Sequence, residues 1–281
     1  MGWAGMPKTS SWTEDLHRLL ASSKGRTPTE LINDIRDLGI AMGHDAGEAL
    51  LDAHPELFAY QPMLTEAFGR MVHAQDIAEI RQMLEQDLEG SASFERIAAG
   101  KTTIGVLSSK DAYHRLDEVF DHVDFRDCRR AVMVGCGGRP FTMFRIHDQT
   151  DVPEIIGLDF VPEAVDTANK LAAKLGYDRM RAELCDGRYY DYGEAQVVYV
   201  ASMVSPKAAV VSRIADTAPK GVQIVLWEPY SLGRLWAENA ERMLDPRLEV
   251  TGRTRVSRNM TRDVFVKRRA IVVSQVRSGQ S

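Results

Sequence analysis

The sequence predicts an α/β fold in which a mainly parallel, Rossmann-like sheet follows a helical N-terminal region. The first observation behind this prediction is a strand, glycine-rich turn, helix and second strand over residues 131–159. The second is the alternation of apolar strands and amphipathic helices from residue 159 to residue 243. Alternation of this kind is typical of a parallel sheet with helices on both faces.

The N-terminal part of the chain is helical in character over residues 11–95. Thr27-Pro28-Thr29-Glu30 is a capping box with proline at the first helical position, so a helix should begin there and end near Gly43. Apolar residues then keep helical spacing from residue 64 to residue 88. We therefore expect three segments: a disordered lead-in (1–10), a helical cap domain (11–124) and a Rossmann-like domain (125–281).

The centre of the predicted sheet domain is a glycine-rich turn between two apolar strands. Ala131–Val134 is an apolar run that stops at three glycines, Gly135, Gly137 and Gly138. About twenty residues later, a second apolar run ends in Asp159. This layout is typical of a nucleotide-binding βαβ unit, where bare backbone approaches the ligand and an acidic residue accepts from the ribose hydroxyls.

The remaining elements follow in regular order. Strands are expected at 180–184, 196–202 and 222–227, and helices at 162–175, 207–217 and 232–243. The last two apolar segments, 248–256 and 264–276, are expected to form an antiparallel pair that finishes the sheet. A mainly parallel sheet with this antiparallel finish is similar to the class I methyltransferase fold of S-adenosylmethionine-dependent transferases.

Composition excludes several classes of protein. The 281-residue chain carries a net charge of −5, which argues against nucleic-acid binding, and we interpret the basic stretch 253–269 as a solvated face. No apolar run approaches the length of a membrane span. The three cysteines have no metal-ligand spacing, so we expect a reducing cytoplasmic location and no metal. We expect a small-molecule substrate, no nucleic-acid or membrane partner, and a homodimer as one compatible assembly.

The glycine turn could hold a dinucleotide or S-adenosylmethionine. A pyrophosphate needs amide donors at a helix N-terminus, and Pro140, at the sixth motif position, removes one of them. S-adenosylmethionine has no phosphate and loses little by that change. It needs close backbone approach at Gly135 and Gly137, and a ribose acceptor at Asp159. The sequence therefore favours the sulfonium ligand.

A second acidic residue follows the third predicted strand. Asp186 is well placed to accept from the adenine amine. The alternative is that Asp186 only forms a turn before Gly187. Both interpretations remain open from the residues alone.

The stretch Gly135–Thr142, GCGGRPFT, resembles the glycine turn of the nicotianamine synthase family. That family has GSG, two variable residues, a proline, an apolar residue and a threonine. The resemblance continues through IIGLDFVPEAVDTANKLA and VVYVASMVSPKAAVV, and Tyr113 with the following helix start is similar to a tyrosine motif of the family. It covers roughly residues 100–230.

This resemblance implies a use of S-adenosylmethionine other than methylation. The family transfers the 3-amino-3-carboxypropyl arm to an amine and releases methylthioadenosine. Bacterial relatives make opine metallophores, and others close the arm on itself to give azetidine-2-carboxylate. The candidate cofactor-binding residues are Gly135, Cys136, Gly137, Pro140, Thr142, Asp159, Phe160, Asp186, Gly187, Ala201 and Ser202.

Three aromatic residues are candidates for the chemistry. Tyr113 is the candidate catalytic residue, which would hydrogen-bond the substrate carboxylate or help to deprotonate the nucleophile. Trp227 and Tyr230 are candidate substrate-binding residues through cation–π contact, although packing at a strand end explains them equally well. The family's arginine after the fifth strand is absent here until Arg234. This departure leaves an amino-acid acceptor in question and keeps self-cyclisation open.

Three other functions are alternatives to the transfer or cyclisation of the aminocarboxypropyl arm. A conventional small-molecule N- or O-methyltransferase would have the same fold and would release S-adenosylhomocysteine. A non-catalytic protein would bind the cofactor without turnover. A dinucleotide-dependent oxidoreductase ranks last, because of Pro140 and the antiparallel finish.

Overall fold

The computed structural model describes residues 9–22, 25–85, 116–254 and 269–275. The chain forms two compact units. Among the described residues, the helical unit comprises 9–74, 228–239 and Arg269, and the sheet unit comprises 75–227, 240–254 and 270–275. The chain passes from one unit to the other within a long helix. The expected domain boundary at residue 124 stays a prediction.

The helical unit is built from short amphipathic helices. These are α1 (Thr9–Ala21), α2 (Pro28–Met42), α3 (His44–Ala53), a 3₁₀ helix (Pro55–Tyr60) and the first part of α4 (Gln61–Glu85). The predicted capping box begins α2: the Glu30 amide donates to Thr27 Oγ1 at 3.2 Å, and the Thr27 amide donates to Glu30 Oε2 at 2.8 Å. Gly43 follows α2 with a φ of 90°, which glycine adopts without strain.

The sheet unit contains a seven-stranded sheet in the order β3-β2-β1-β4-β5-β7-β6. Its strands are β1 (Arg130–Val134), β2 (Glu154–Asp159), β3 (Met180–Leu184), β4 (Val197–Val200), β5 (Gln223–Glu228), β6 (Leu248–Arg253) and β7 (Arg269–Gln275). The first five strands pair in parallel, and β6 pairs antiparallel with β7. This is the class I methyltransferase fold, as the sequence predicted.

Helices and two apolar clusters cover the faces of this sheet. The helices are α5 (Asp117–Phe120), α6 (Phe141–Gln149), α7 (Pro162–Leu175) and α8 (Lys207–Thr217). Alternate residues of β1 enter different clusters: Ala131 and Met133 one of them, Val132 and Val134 the other. This period of two places a buried core on each side of the sheet. No helix in the described part of the chain is long and apolar enough to cross a membrane.

The helix expected over residues 232–243 is wrong. The segment instead forms two short 3₁₀ helices, Ser231–Leu235 and Glu241–Met243, with bends between them. Side chains of α4 take backbone carbonyls that a helix would need: the Gln61 amide donates to the Arg234 carbonyl at 2.9 Å, and the Thr65 hydroxyl donates to the Trp236 carbonyl at 3.1 Å. Tertiary contacts of this kind override a helical preference that rests on local spacing alone.

A glycine in the middle of β2 allows α6 and the glycine turn to pack closely on the sheet. A Cβ on Gly157 would lie 2.6 Å from Met143 Sδ, 2.8 Å from Cys136 Sγ and 2.9 Å from Cys136 Cβ. All three distances are shorter than ordinary van der Waals contact. The absence of a side chain at Gly157 is therefore a packing requirement.

We expect Gly157→Ala to destabilise the protein by about 1–3 kcal/mol, since one extra methyl overpacks a filled core. Urea unfolding of the full chain measures this loss. Gly69→Ala is the control, because a Cβ there meets no described atom within 4 Å and lies inside α4. It should be neutral or stabilising by up to about 1 kcal/mol. Equal effects of the two substitutions would contradict the packing argument.

Candidate functional site

The candidate site lies at the carboxyl edge of the parallel strands. Strand β1 has β2 on one side and β4 on the other, so the strand order reverses between β1 and β4. Ligands of open α/β sheets bind outside the strand ends at this switch point. The residues that follow the strands here are Gly135 after β1, Asp159 at the end of β2, and Ala201 after β4.

The turn after β1 is held by its own backbone. Gly135 and Gly137 have φ values of 73° and 64°, in the left-handed region that favours glycine. The amides of Gly135 and Cys136 both donate to the Leu158 carbonyl, at 2.8 and 3.1 Å. A Cβ on Gly135 would lie 2.7 Å from Val204 Cγ2, whereas one on Gly137 would meet no described atom within 4 Å. The backbone at Gly137 therefore borders open space.

Asp159 is tied directly to this turn. Its Oδ2 accepts from the Gly137 amide at 2.9 Å, and its Oδ1 accepts from the Val161 amide at 3.0 Å. Each carboxylate oxygen keeps acceptor capacity after one such bond. The structure thus brings together the predicted glycine turn and the predicted ribose acceptor.

The far side of the turn packs against the last part of α4. A Cβ on Gly138 would lie 2.9 Å from Ile80 Cδ1, so this glycine permits close approach of the helix. Arg139 forms an ion pair with Asp76, and its guanidinium lies 5.1 Å from the centre of the Phe141 ring. These contacts fix the turn against α4 within the sheet unit.

Pro140 and Thr142, the proline and the threonine of the predicted turn pattern, are both buried. Pro140 immediately precedes α6, and its carbonyl accepts from the Phe144 amide at 3.0 Å. Thr142 lies in the first turn of α6 and is 6% exposed. Pro140 therefore caps the start of the helix without supplying an amide donor.

Exposed apolar side chains flank Asp159. Phe160 is 71% exposed and Leu184 is 60% exposed. Asp159 and Leu184 are register partners, so the two apolar side chains lie at neighbouring strand ends. We take this exposed apolar surface beside Asp159 as a candidate ligand contact.

The Asp186 carboxylate accepts hydrogen bonds from Arg188, two residues later. Arg188 donates to Asp186 through its amide at 2.9 Å and through its guanidinium at 2.6–3.1 Å. These bonds lower the pKa of the Asp186 carboxyl. Gly187 is needed for packing, since a Cβ there would lie 2.5 Å from Val134 Cγ1. The sequence did not predict the Arg188 contact, and the role of Asp186 towards a ligand stays a prediction.

The loop after β4 meets the glycine turn. The Ala201 amide donates to the Val134 carbonyl at 3.0 Å. Ser202 is 1% exposed, and its Oγ has no hydrogen-bond partner in the described structure. Lys207 is fully buried, and its Nζ donates to the Trp227 carbonyl at 2.9 Å. Sequence reasoning missed Lys207, because a lysine at a helix start is ordinarily exposed.

The candidate substrate residues lie in different parts of the chain. Trp227, in the sheet unit, is half-buried and packs on the apolar cluster that contains Met133. Tyr230 belongs to the helical unit, where its hydroxyl lies 3.2 Å from Asp45 Oδ1. Tyr113 falls outside the described residues. The roles of all three stay predictions.

Arg234 is committed to ion pairs inside the helical unit. Its side chain is 7% exposed, and Nη1 lies 2.6 Å from Glu48 Oε2 and 3.0 Å from Asp52 Oδ1. Its guanidinium also lies 5.3 Å from the centre of the Phe58 ring. A buried arginine with two carboxylate partners has its charge satisfied by the protein.

The described residues contain no group of three or more His, Cys, Asp or Glu side chains arranged to hold a metal ion. Cys128 and Cys136 are also poorly suited to metal binding or nucleophilic chemistry, because both are buried. Burial, with a contribution from the Asp159 charge, raises the pKa of Cys136 to about 12. Burial likewise raises the pKa of Cys128 to about 11.

We expect maleimide to modify Cys185 first in the native protein, because Cys185 is half-buried whereas the other two thiols are buried. A raised pKa favours the neutral thiol, so at pH 8 a group with pKa near 12 is thiolate in about one molecule in ten thousand. Mass spectrometry of labelled peptides over time measures the order. All three thiols should react alike in urea, and rapid native labelling of Cys136 would contradict the geometry of the turn.

The comparisons with known proteins agree with this fold. No family model and no curated protein matches the sequence. Among solved structures, a mutant of MtNAS, a nicotianamine synthase, bound to S-adenosylmethionine is 15% identical, with a TM-score of 0.71 over 94% of this chain and 98% of that chain. MtNAS bound to MTA and tNA is 15% identical, with a TM-score of 0.69 over 95% and 98% of the two chains. The chain therefore has the fold of a nicotianamine synthase over nearly its whole length.

Proposed function

We propose that the protein uses S-adenosylmethionine as co-substrate and acts on its 3-amino-3-carboxypropyl arm, releasing methylthioadenosine. The arm is transferred to an amine or closes on itself to give azetidine-2-carboxylate. The observation that carries this proposal is the glycine turn, in which Gly137 donates to Asp159 and Pro140 and Thr142 follow in the family pattern. The full-length similarity to MtNAS supports it.

The site fits the nucleoside part of this co-substrate. Asp159 has acceptor capacity for the ribose hydroxyls, and the open backbone at Gly137 admits close approach. Phe160 and Leu184 offer exposed apolar surface to the adenine ring. Asp186 would accept from the adenine amine while sharing its oxygens with Arg188.

The reaction breaks the bond between the sulfonium sulfur and Cγ of the arm. An amine lone pair forms the new C–N bond, the S–Cγ electron pair stays on sulfur as a neutral thioether, and the amine loses a proton. The protein must hold the arm bent, keep the amine neutral and exclude water. Tyr113 is our candidate for the deprotonation, and Trp227 and Tyr230 are our candidates for contact with a cationic group.

The state of Arg234 bears on the acceptor. It is the first arginine after β5, and its guanidinium is paired with Glu48 and Asp52. A residue so engaged is a poor candidate for binding the carboxylate of an amino-acid acceptor. This observation favours self-cyclisation, which needs no second amino acid, as one of the two forms of the proposed reaction.

The decisive experiment is identification of the nucleoside product. We expect incubation with S-adenosylmethionine to yield methylthioadenosine, measured by liquid chromatography and mass spectrometry. Its formation without any added acceptor indicates cyclisation, and formation only with an added amine indicates transfer. S-adenosylhomocysteine as the sole nucleoside product would overturn the proposal in favour of a methyltransferase, and binding without turnover under any mixture would indicate a non-catalytic protein.

Asp159→Ala should weaken binding of S-adenosylmethionine by about 10–100-fold, since it removes charge-assisted hydrogen bonds to the ribose and releases the Gly137 amide. Isothermal titration calorimetry with S-adenosylhomocysteine measures this loss without turnover. Asp166→Ala is the matched control, because Asp166 is an exposed residue of α7 that forms an ion pair with Lys170 on the helix surface. An unchanged affinity of Asp159→Ala for S-adenosylhomocysteine would contradict the assignment of Asp159 as the ribose acceptor.

A further inference from the structure

Two hydroxyls in and just after β4 are buried without a hydrogen-bond partner in the described structure, those of Tyr199 and Ser202. Tyr199 is fully buried inside the apolar cluster that contains Met133. Ser202 is 1% exposed, but it lies beyond the end of the strand, at the ligand edge of the sheet. An unpaired buried hydroxyl is unfavourable, so each one requires a physical explanation.

The position of Ser202 relative to the glycine turn is fixed by its neighbours in the loop. The preceding residue, Ala201, donates to the Val134 carbonyl at the end of β1. A Cβ on Gly135 would lie 3.3 Å from Ala201 Cβ and 2.7 Å from Val204 Cγ2. The loop that contains Ser202 therefore packs directly against the first glycine of the turn.

This loop lies on the opposite side of β1 from the nucleoside residues. Asp159 ends β2, and Leu184 and Asp186 end or follow β3, both on one side of β1. Strand β4 is the neighbour on the other side. A ligand whose ribose is held by Asp159 and whose adenine extends towards β3 has its remaining part directed towards β4. For S-adenosylmethionine that part is the sulfonium and the aminocarboxypropyl arm.

We propose that the Ser202 hydroxyl is the hydrogen-bond partner of the α-amino-acid group on this arm, and so selects ligands that carry the arm. The inference rests on the proposed function and names a residue for one part of the co-substrate. A serine hydroxyl donates to a carboxylate and accepts from an ammonium group, so it suits an amino acid in either orientation. Ser202 breaks no protein hydrogen bond in doing so.

The test compares two ligands that differ in the arm. S-adenosylhomocysteine carries the amino-acid group, and methylthioadenosine lacks it. We expect Ser202→Ala to weaken the binding of S-adenosylhomocysteine by about tenfold or more, because it removes a hydrogen bond to a charged group. The affinity for methylthioadenosine should stay within about twofold of the wild type. Calorimetric titration of the full chain with each ligand measures both values.

Tyr199→Phe is the matched control, because it removes the nearby buried hydroxyl within β4 that also has no hydrogen-bond partner among the described residues. It should leave both affinities unchanged, and neither substitution should lower the melting temperature. Unchanged binding of S-adenosylhomocysteine by Ser202→Ala, or an equal loss for both ligands, would overturn the inference. If the wild-type protein binds neither ligand, the proposed function itself fails, and this outcome is distinct from the other two.

Discussion

The bond between the Gly137 amide and the Asp159 carboxylate is the constraint on which the rest of the site depends. It joins the turn after β1 to the end of β2, and the Leu158 carbonyl reinforces the joint by accepting from two further amides of the turn. The carboxylate also accepts from Val161, just before α7 begins. The Asp159 side chain thus fixes the turn after β1 and the residue that precedes α7, and it lies at the carboxyl edge of the sheet. Its two structural bonds orient it before any ligand binds.

The sheet and its helices could be predicted because their signals are local. Pro162 and Gly176 mark both ends of α7, and Gly176 has the left-handed φ of 75° that such a helix end requires. The glycine turn could be predicted for the same reason, since its glycines and Asp159 follow apolar strands at a recognised spacing. Within the candidate site, the structure brings these glycines and Asp159 together, and their roles towards a ligand stay predictions.

Features that depend on distant residues could not be predicted. The spacing of apolar residues over 232–243 suggests a helix, but side chains of α4 take its carbonyls. The sequence shows that Arg234 is the first arginine after β5. It does not show that the Arg234 guanidinium binds the carboxylates of Glu48 and Asp52, more than 180 residues earlier. The sequence does not show the burial of Lys207 either, because its hydrogen bond to the Trp227 carbonyl joins the start of α8 to the end of β5. Hydrogen bonds and ion pairs between residues that are distant in sequence produce no periodic pattern from which they could be predicted.

The geometry also indicates where the choice of reaction must be made. Methyl transfer and aminocarboxypropyl transfer use the same nucleoside, so the residues on the β2 and β3 side serve both reactions equally. The two reactions differ in which carbon beside the sulfonium meets the nucleophile, and hence in how the arm is held. In our proposal the arm extends towards β4, where Ser202 Oγ has no hydrogen-bond partner among the described residues and Lys207 binds the carbonyl of Trp227 near the end of β5. On this proposal, a protein that breaks the S–Cγ bond differs from a methyltransferase on the β4 side of the switch point, and the presence of Asp159 alone does not distinguish the two.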